Sequence, residues 1–332
     1  MTGPLRVAIL SAAHLHAHAY AAALAALPDA SLVAVWDDLA TRGGPFAALY
    51  GAPFLSTLDQ VWDGCDAVII TAENARHRAL CEAACQAGKH VLCEKPPAIT
   101  REDAEAMIAA ADQAGITLGT AFPMRHNLPA RALRQAIRQG EVGEVLAVRS
   151  TNRGAMPPGW FQDPALAGGG AVIDHTVHVV DLLRWYLNDE PETVYAEISH
   201  GLYGRAVDDA AFLTISFRNG VVVTHDPSWS RPPSYPIWGD ITMEVAGTHG
   251  IINLDAFNQK VMHFPRHNEH ARWLPWGNDA DQAMVEDFVS AVRESRPPAA
   301  TGRDGERALA VALAAYASAR AGQLVAVPPV GG

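Results

Sequence analysis

Along the first third of the chain, short apolar runs alternate with amphipathic stretches. Residues 6–10, 31–36, 66–71, 90–93 and 117–122 are rich in Val, Ile, Leu and Ala, and each has the length of a strand buried on both faces. The intervening stretches read as helices. Residues 18–27 form an alanine-rich helix that stops at Pro28. Ala79, Cys81, Ala84 and Cys85 share one helical face, and Gly88 follows where a left-handed cap belongs. Thr100-Arg-Glu-Asp103 opens a further helix over 101–114 with a capping-box signal. This alternation predicts a doubly wound parallel sheet over residues 1–122, of the kind that binds nucleotides.

The pattern changes near Pro123. A helix around 129–140 leads into a period-two strand at 144–152. Two more strands, 211–217 and 221–224, are joined by the hairpin signal Arg218-Asn219-Gly220, and strands follow at 241–246 and 250–254. Residues 123–332 are therefore expected to form a second, α+β domain with a large, mostly antiparallel sheet. The run Val221-Val-Val223 predicts apolar side chains on both faces of that sheet. One face covers the domain's own helices. The other needs a partner, and a homodimer or homotetramer is expected.

Composition narrows the function classes. With 332 residues, 49% hydrophobic content and a net charge of −11, the chain is an ordinary globular protein without a basic surface for nucleic acid. It has no apolar run long enough for a membrane span and no visible signal peptide, so a cytoplasmic location is expected. Cys65, Cys81, Cys85 and Cys93 all fall in the first domain and read as reduced filler.

Four places carry candidate chemistry. Glu94-Lys95-Pro96-Pro97 follows a sheet strand, where open α/β sheets bind ligands, and its prolines stiffen a loop that presents one cation. In the turn after the first strand, Ser11, Ala13 and His16 stand where a dinucleotide fingerprint has glycines; the small residues leave room for an anion at the helix N-terminus. His14, His16 and His18 in that turn suggest a metal. Alternate residues opening a helix point about 200° apart, so no metal site is expected, and His14 and His16 are read as phosphate or ribose contacts. Asp37, ending the second strand, is placed to accept hydrogen bonds from an adenosine ribose, favouring NAD over NADP. Gly168-Gly-Gly170 opens a helix on which Asp174, His178 and Asp181 lie at i, i+4 and i+7, with His175 one position round: an acid/base pair if that face meets a ligand.

Glu94-Lys95-Pro96, the Gly168-Gly-Gly-Ala-x-x-Asp174-x-x-x-His178 helix start and the division near Pro123 together resemble the glucose–fructose oxidoreductase / inositol dehydrogenase / rhizopine-catabolism (Gfo/Idh/MocA) family. The likeness extends to the Gly247-Thr-His-Gly250 turn and the helix over 314–319. It implies an NAD(P)-dependent oxidoreductase acting on a sugar, polyol or related hydroxy compound, with Lys95, Asp174 and His178 as catalytic residues. It further implies that Thr71, Asn74, His77 and Glu94 line the cofactor, and that Arg125, His126, Arg153, Trp160 and His175 line the substrate. Asn74-Ala-Arg-His77 follows the family pattern, except that Glu73 replaces its proline. The loop 153–167, with Trp160 and Phe161, is expected to set specificity. The alternatives are a non-catalytic dinucleotide or sugar sensor of the same fold, and a metal-dependent hydrolase using His14 and His16.

Overall fold

The computed structural model describes residues 3–263, 272–275 and 277–329. The chain forms two compact units, Met1–Arg125 with Asp279–Glu306, and His126–Asn278 with Arg307–Gly332.

In the first unit, β1 (Leu5–Leu10), α1 (Ala17–Ala26), β2 (Ala30–Trp36), α2 (Ala40–Leu49), β3 (Phe54–Leu55), α3 (Leu58–Gly64), β4 (Ala67–Ile70), α4 (His77–Gln86), β5 (His90–Cys93), α5 (Arg101–Ala114) and β6 (Leu118–Thr120) alternate as the apolar pattern requires. The sheet has the order β3-β2-β1-β4-β5-β6, and every pairing in it is parallel. Strand order reverses between β1 and β4. At such a switch point the loops leaving the two strands diverge and open a ligand site at their carboxyl ends. The β1–α1 turn, residues 71–76 and Glu94-Lys95-Pro96 all lie at that edge.

The linear division at 122/123 differs from the folded one. Residues 279–306 return to the first unit, where α9 (Ala280–Glu294) packs Met284, Val285 and Phe288 into the same core as Ala17, Tyr20, Ala21 and Leu24 of α1. The alanines of α1 allow this approach, because a surface of methyl groups lets a second helix lie close.

The second unit contains α6 (Leu128–Arg138), β7 (Val145–Thr151), α7 (Pro164–Ala167), α8 (Ala171–Leu187), β8 (Pro191–Ser199), β9 (Ala210–Phe217), β10 (Val222–Asp226), β11 (Thr242–Gly247) and β12 (Gly250–Asp255). After them come β13 (Lys260–His263), β14 (Arg272–Pro275), the closing helix α10 (Gly302–Ala321) and β15 (Val325–Ala326). Its main sheet runs β12-β11-β7-β10-β9-β8-β15, antiparallel except for the β7–β10 pair. β8 is strongly alternating, yet its stretch was not read as a strand from sequence.

Val221 and Val223 are buried while Val222 is exposed, so the triple-valine run alternates like its neighbours. Register places Ser216, Val222, Ala147, Ala246 and Ile251 in one row across the outer face. Val222, Ile251, Leu146 and Phe212 are large apolar side chains exposed on these strands.

Candidate active site

The β1–α1 turn folds without glycine by substituting side-chain bonds. Ser11 adopts φ 74°, the left-handed conformation that favours glycine, and its backbone N–H is bound to Trp36 O at 2.6 Å. Beneath it lies Asp37, whose side chain is fully buried. Its Oδ2 accepts from Ala12 N at 2.7 Å and Ser11 Oγ at 3.2 Å, and its Oδ1 from Leu39 N at 2.8 Å. Arg42 closes the arrangement, donating to both Asp37 oxygens at 2.8 and 2.9 Å, to Ser11 Oγ and to Glu73. Burial opposes the Asp37 charge, but Arg42 and the two backbone donors outweigh it and lower its pKa. A Cβ at Gly43 would lie 2.5 Å from Asp37 Cβ, so that glycine lets α2 approach.

Asp37 was expected to bind ribose. Its oxygens are instead committed to bracing the turn. The carboxylate left partly exposed at this strand end is Asp38, 37% accessible, which pairs with Arg42 at 2.8 Å and Arg76 at 2.6 Å. Neither arginine was singled out by the motif reading, since nothing local marks them.

Glu94 is the buried charge around which the turn's histidines gather. Its Oε1 accepts from His16 Nδ1 at 2.9 Å and from the Tyr20 hydroxyl, and its Oε2 from Lys95 N at 2.9 Å. Burial alone would raise this carboxyl; the charges of His14 and His16 and the His16 hydrogen bond hold it well below 4.5. His14 Nδ1, His16 Nδ1 and Glu94 Oε1 all lie within 4.8 Å of one another. The expectation that these imidazoles cannot converge fails for two of the three, because residues 14–16 form a turn and the helix begins only at Ala17. His14 Nδ1 accepts the His16 backbone N–H and His16 Nδ1 donates to Glu94, so both atoms already serve hydrogen bonds. His18 turns away to the Tyr50 hydroxyl.

Thr71 donates its hydroxyl to Ser11 O, and Asn74 is buried on the 3-10 turn Asn74–Arg76. His77 was expected at the cofactor. It is fully buried, its Nδ1 3.0 Å from Pro96 O and its Nε2 3.0 Å from Ala72 O, and thus pins the Lys95 loop from below. The Lys95–Pro96 peptide is cis, and Lys95 is buried. Arg125, expected at the substrate, binds Asp304 at 3.1 Å and donates to Ala299 O, which anchors the returning segment.

In the second unit, the three glycines are needed where they stand. A Cβ on Gly170 would lie 1.9 Å from Asp208 O. Asp208 instead caps α8, accepting from Gly170 N and Val172 N at 2.8 Å each and from the Tyr316 hydroxyl at 2.7 Å. Asp174, buried in the first turn of α8, accepts from Trp229 Nε1 at 3.3 Å. His175 was expected to touch substrate. It is buried: its Nδ1 lies 2.8 Å from Pro227 O, an acceptor only, so that nitrogen carries a proton, and its Nε2, 3.3 Å from Asp174 Oδ2, pairs with that carboxylate when it is protonated as well. His175 therefore backs Asp174. His178, one helical turn on, is half-buried. Nearby His225 is pushed down to about 3 by burial and by His175.

Arg153 binds Asp240 through its backbone N–H and its guanidinium, and Trp160 stacks on buried Phe161 with ring centroids 3.9 Å apart. His126 is buried, and its carbonyl accepts from Asn278 at 2.7 Å. These three residues are thus at least partly committed to holding their own loops.

The first unit provides what a dinucleotide needs: a left-handed turn at Ser11 opening α1, an imidazole edge at its N-terminus and a half-exposed carboxylate at the end of β2. Residues 5–122 match the family model described as an oxidoreductase family with an NAD-binding Rossmann fold. Residues 130–253 match the GFO/IDH/MocA C-terminal domain. The chain is 36% identical over 305 residues to 1,5-anhydro-D-fructose reductase of Ensifer adhaerens, covering 88% of this chain and 90% of that one. It is 29% identical over 317 residues to inositol 2-dehydrogenase of Rhizobium meliloti, covering 90% and 92%. The solved structure of GenD2 from gentamicin A biosynthesis, in complex with NAD, superposes with a TM-score of 0.90 at 27% identity, over 99% of this chain and 98% of that one. With both halves matched and near full-length relatives on each side, the chain belongs to the Gfo/Idh/MocA oxidoreductases, and its first domain is their NAD-binding Rossmann fold.

Proposed function

We propose that the protein interconverts a secondary alcohol and a ketone on a sugar or polyol, with NAD as its cofactor. The observation that carries the reading is the Glu94-Lys95-Pro96 loop, buried at the carboxyl edge of β5 and fixed by His16, Tyr20 and His77. A cation immobilised in this way stabilises a developing alkoxide without reorganising. Bound nicotinamide supplies or accepts the hydride. Ser11 to His16, Asn74 and Asp38 would hold that cofactor, Asp38 taking the ribose role.

On the substrate, His178 removes the hydroxyl proton during oxidation and returns it during reduction. Lys95 steadies the oxygen from which that proton leaves. Asp174, fixed by Trp229 and His175, orients and polarises His178. Relatives named for an anhydrofructose and for inositol support a sugar or cyclic polyol as the substrate class.

The outer sheet face, where Val222 and Ile251 share a row and Phe212 of β9 is exposed, supports a homodimer or homotetramer formed through that face. Light scattering at micromolar concentration tests it, and a 35 kDa species would remove the claim.

The activity itself is tested by following NADH absorbance across sugars, polyols and their keto forms in both directions. Substrate-dependent oxidation or reduction is expected with at least one member. NADH binding without turnover of any of them would instead favour a sensor.

A further inference from the structure

In a turn built on glycines, backbone N–H groups stay available for the diphosphate of a dinucleotide. In this chain most of them are already used. Ala12 N is bound to Asp37, Ala13 N to Ser11 Oγ at 3.2 Å, His14 N to Thr71 O at 2.9 Å and His16 N to His14 Nδ1 at 3.2 Å. Beside these stands a side chain, that of His16, which holds the N-cap position of α1 and is 29% exposed.

Proton bookkeeping fixes what that side chain offers. Glu94 is a carboxylate, so the His16 Nδ1 that lies 2.9 Å from it carries the hydrogen. The Nε2 edge lies across the ring from that bond, on a side chain that is 29% exposed. When His16 is neutral, that edge is a lone pair and repels a phosphate oxygen; when it is protonated, the edge becomes a cationic donor at the positive end of α1. We infer that His16 couples cofactor binding to the uptake of one proton, using a charged side chain where the usual turn uses neutral backbone. This rests on the diphosphate lying at the first turn.

The surroundings favour that protonation in the free protein without completing it. Facing His16 are Glu94 and Lys95 after β5, His14 in the turn, Tyr20 on α1 and Asp281 on α9. Burial opposes a charge on His16, and Lys95 does too, but Glu94 and Asp281 outweigh them and raise its pKa above 6.5. A second negative group at Nε2 raises it further, and by linkage the ligand then binds more tightly where the proton is already present.

ADP-ribose is the probe, because it carries the diphosphate but no nicotinamide and so leaves Lys95 and His178 out of the measurement. Calorimetry in buffers of different ionisation enthalpy should give an uptake of up to one proton on the alkaline side of the His16 titration. There, Kd should rise by up to about tenfold per pH unit and flatten on the acid side. Adenosine, which lacks phosphates, should show no such slope. His16→Gln, neutral at every pH, should bind ADP-ribose with the slope abolished. Equal slopes in wild type and His16→Gln, or no proton uptake in wild type, overturn the inference. Failure of ADP-ribose and NADH to bind at any pH would instead sink the assignment of the diphosphate to this turn. Proton counting on the wild type needs no variant, so a poorly folding His16→Gln leaves the test intact.

Discussion

The first turn of the Rossmann unit and the start of α8 solve one problem in opposite ways. Each must bring backbone close to other groups at a helix N-terminus. Before α8 the chain uses glycine, and Asp208 bonds the two N–H groups that the absent Cβ atoms leave accessible. At α1 the glycines are gone; Ser11 takes the left-handed conformation, Asp37 and His14 accept from backbone N–H groups of the turn, and Arg42 donates to Ser11 Oγ. A glycine turn is neutral and insensitive to its surroundings. A turn made from side chains acquires charge, and with it dependence on pH and on the intactness of one buried carboxylate.

The largest effects are expected at the groups proposed to be catalytic, Lys95 beside the Glu94 that binds the first turn, and His178 on α8. Lys95→Ala and His178→Ala should each lower turnover by about 10²- to 10⁴-fold while NADH binding and thermal stability stay near wild type. Steady-state kinetics beside fluorescence titration checks this, and near-normal turnover in either variant removes that residue from the mechanism.

Next come the two carboxylates at the end of β2. Asp37→Ala leaves Ala12 N and Leu39 N without their acceptor, takes two hydrogen bonds from Arg42 and should cost about 3 kcal/mol of stability in urea. Asp38→Ala should be nearly neutral in stability and weaken the preference for NAD over NADP. If Asp37→Ala unfolds at the wild-type midpoint and Asp38→Ala leaves cofactor choice unchanged, the roles are reversed.

At α8 the effects are smaller. Gly170→Ala drives a methyl into Asp208 O and should cost about 1–3 kcal/mol, while Asp208→Asn, which keeps a cap, should cost less than Asp208→Ala at about 1 kcal/mol. Thermal melts order the three.

Acid sharpens the contrast. Because Glu94's folded pKa lies well below 4.5, its contribution to stability is complete above that ordinary value and is lost as pH falls towards the folded one. Wild type should therefore lose more stability than Glu94→Gln between about pH 5 and about pH 3. Parallel losses would show that Glu94 is not the group responsible.

The sequence by itself determined the α/β alternation, because strands buried on both faces must be continuous apolar runs and helices must carry one apolar stripe. It also singled out Lys95, Asp174 and His178 as candidates, because a proline-stiffened loop and a glycine-opened helix are local signals. Tertiary structure decided which charged groups hold the scaffold. Asp37, His77, Arg125 and His175 carry the right chemistry at suggestive spacings, yet each is bonded to partners distant in sequence or in the next loop. The roles of Asp208 and α9 were invisible for the same reason: a hydrogen bond or a helix contact between segments far apart in the chain leaves no periodic trace in it. Whether a polar side chain is spent on the fold or kept for a substrate depends on its burial and its partners, and those exist only once the chain has closed on itself.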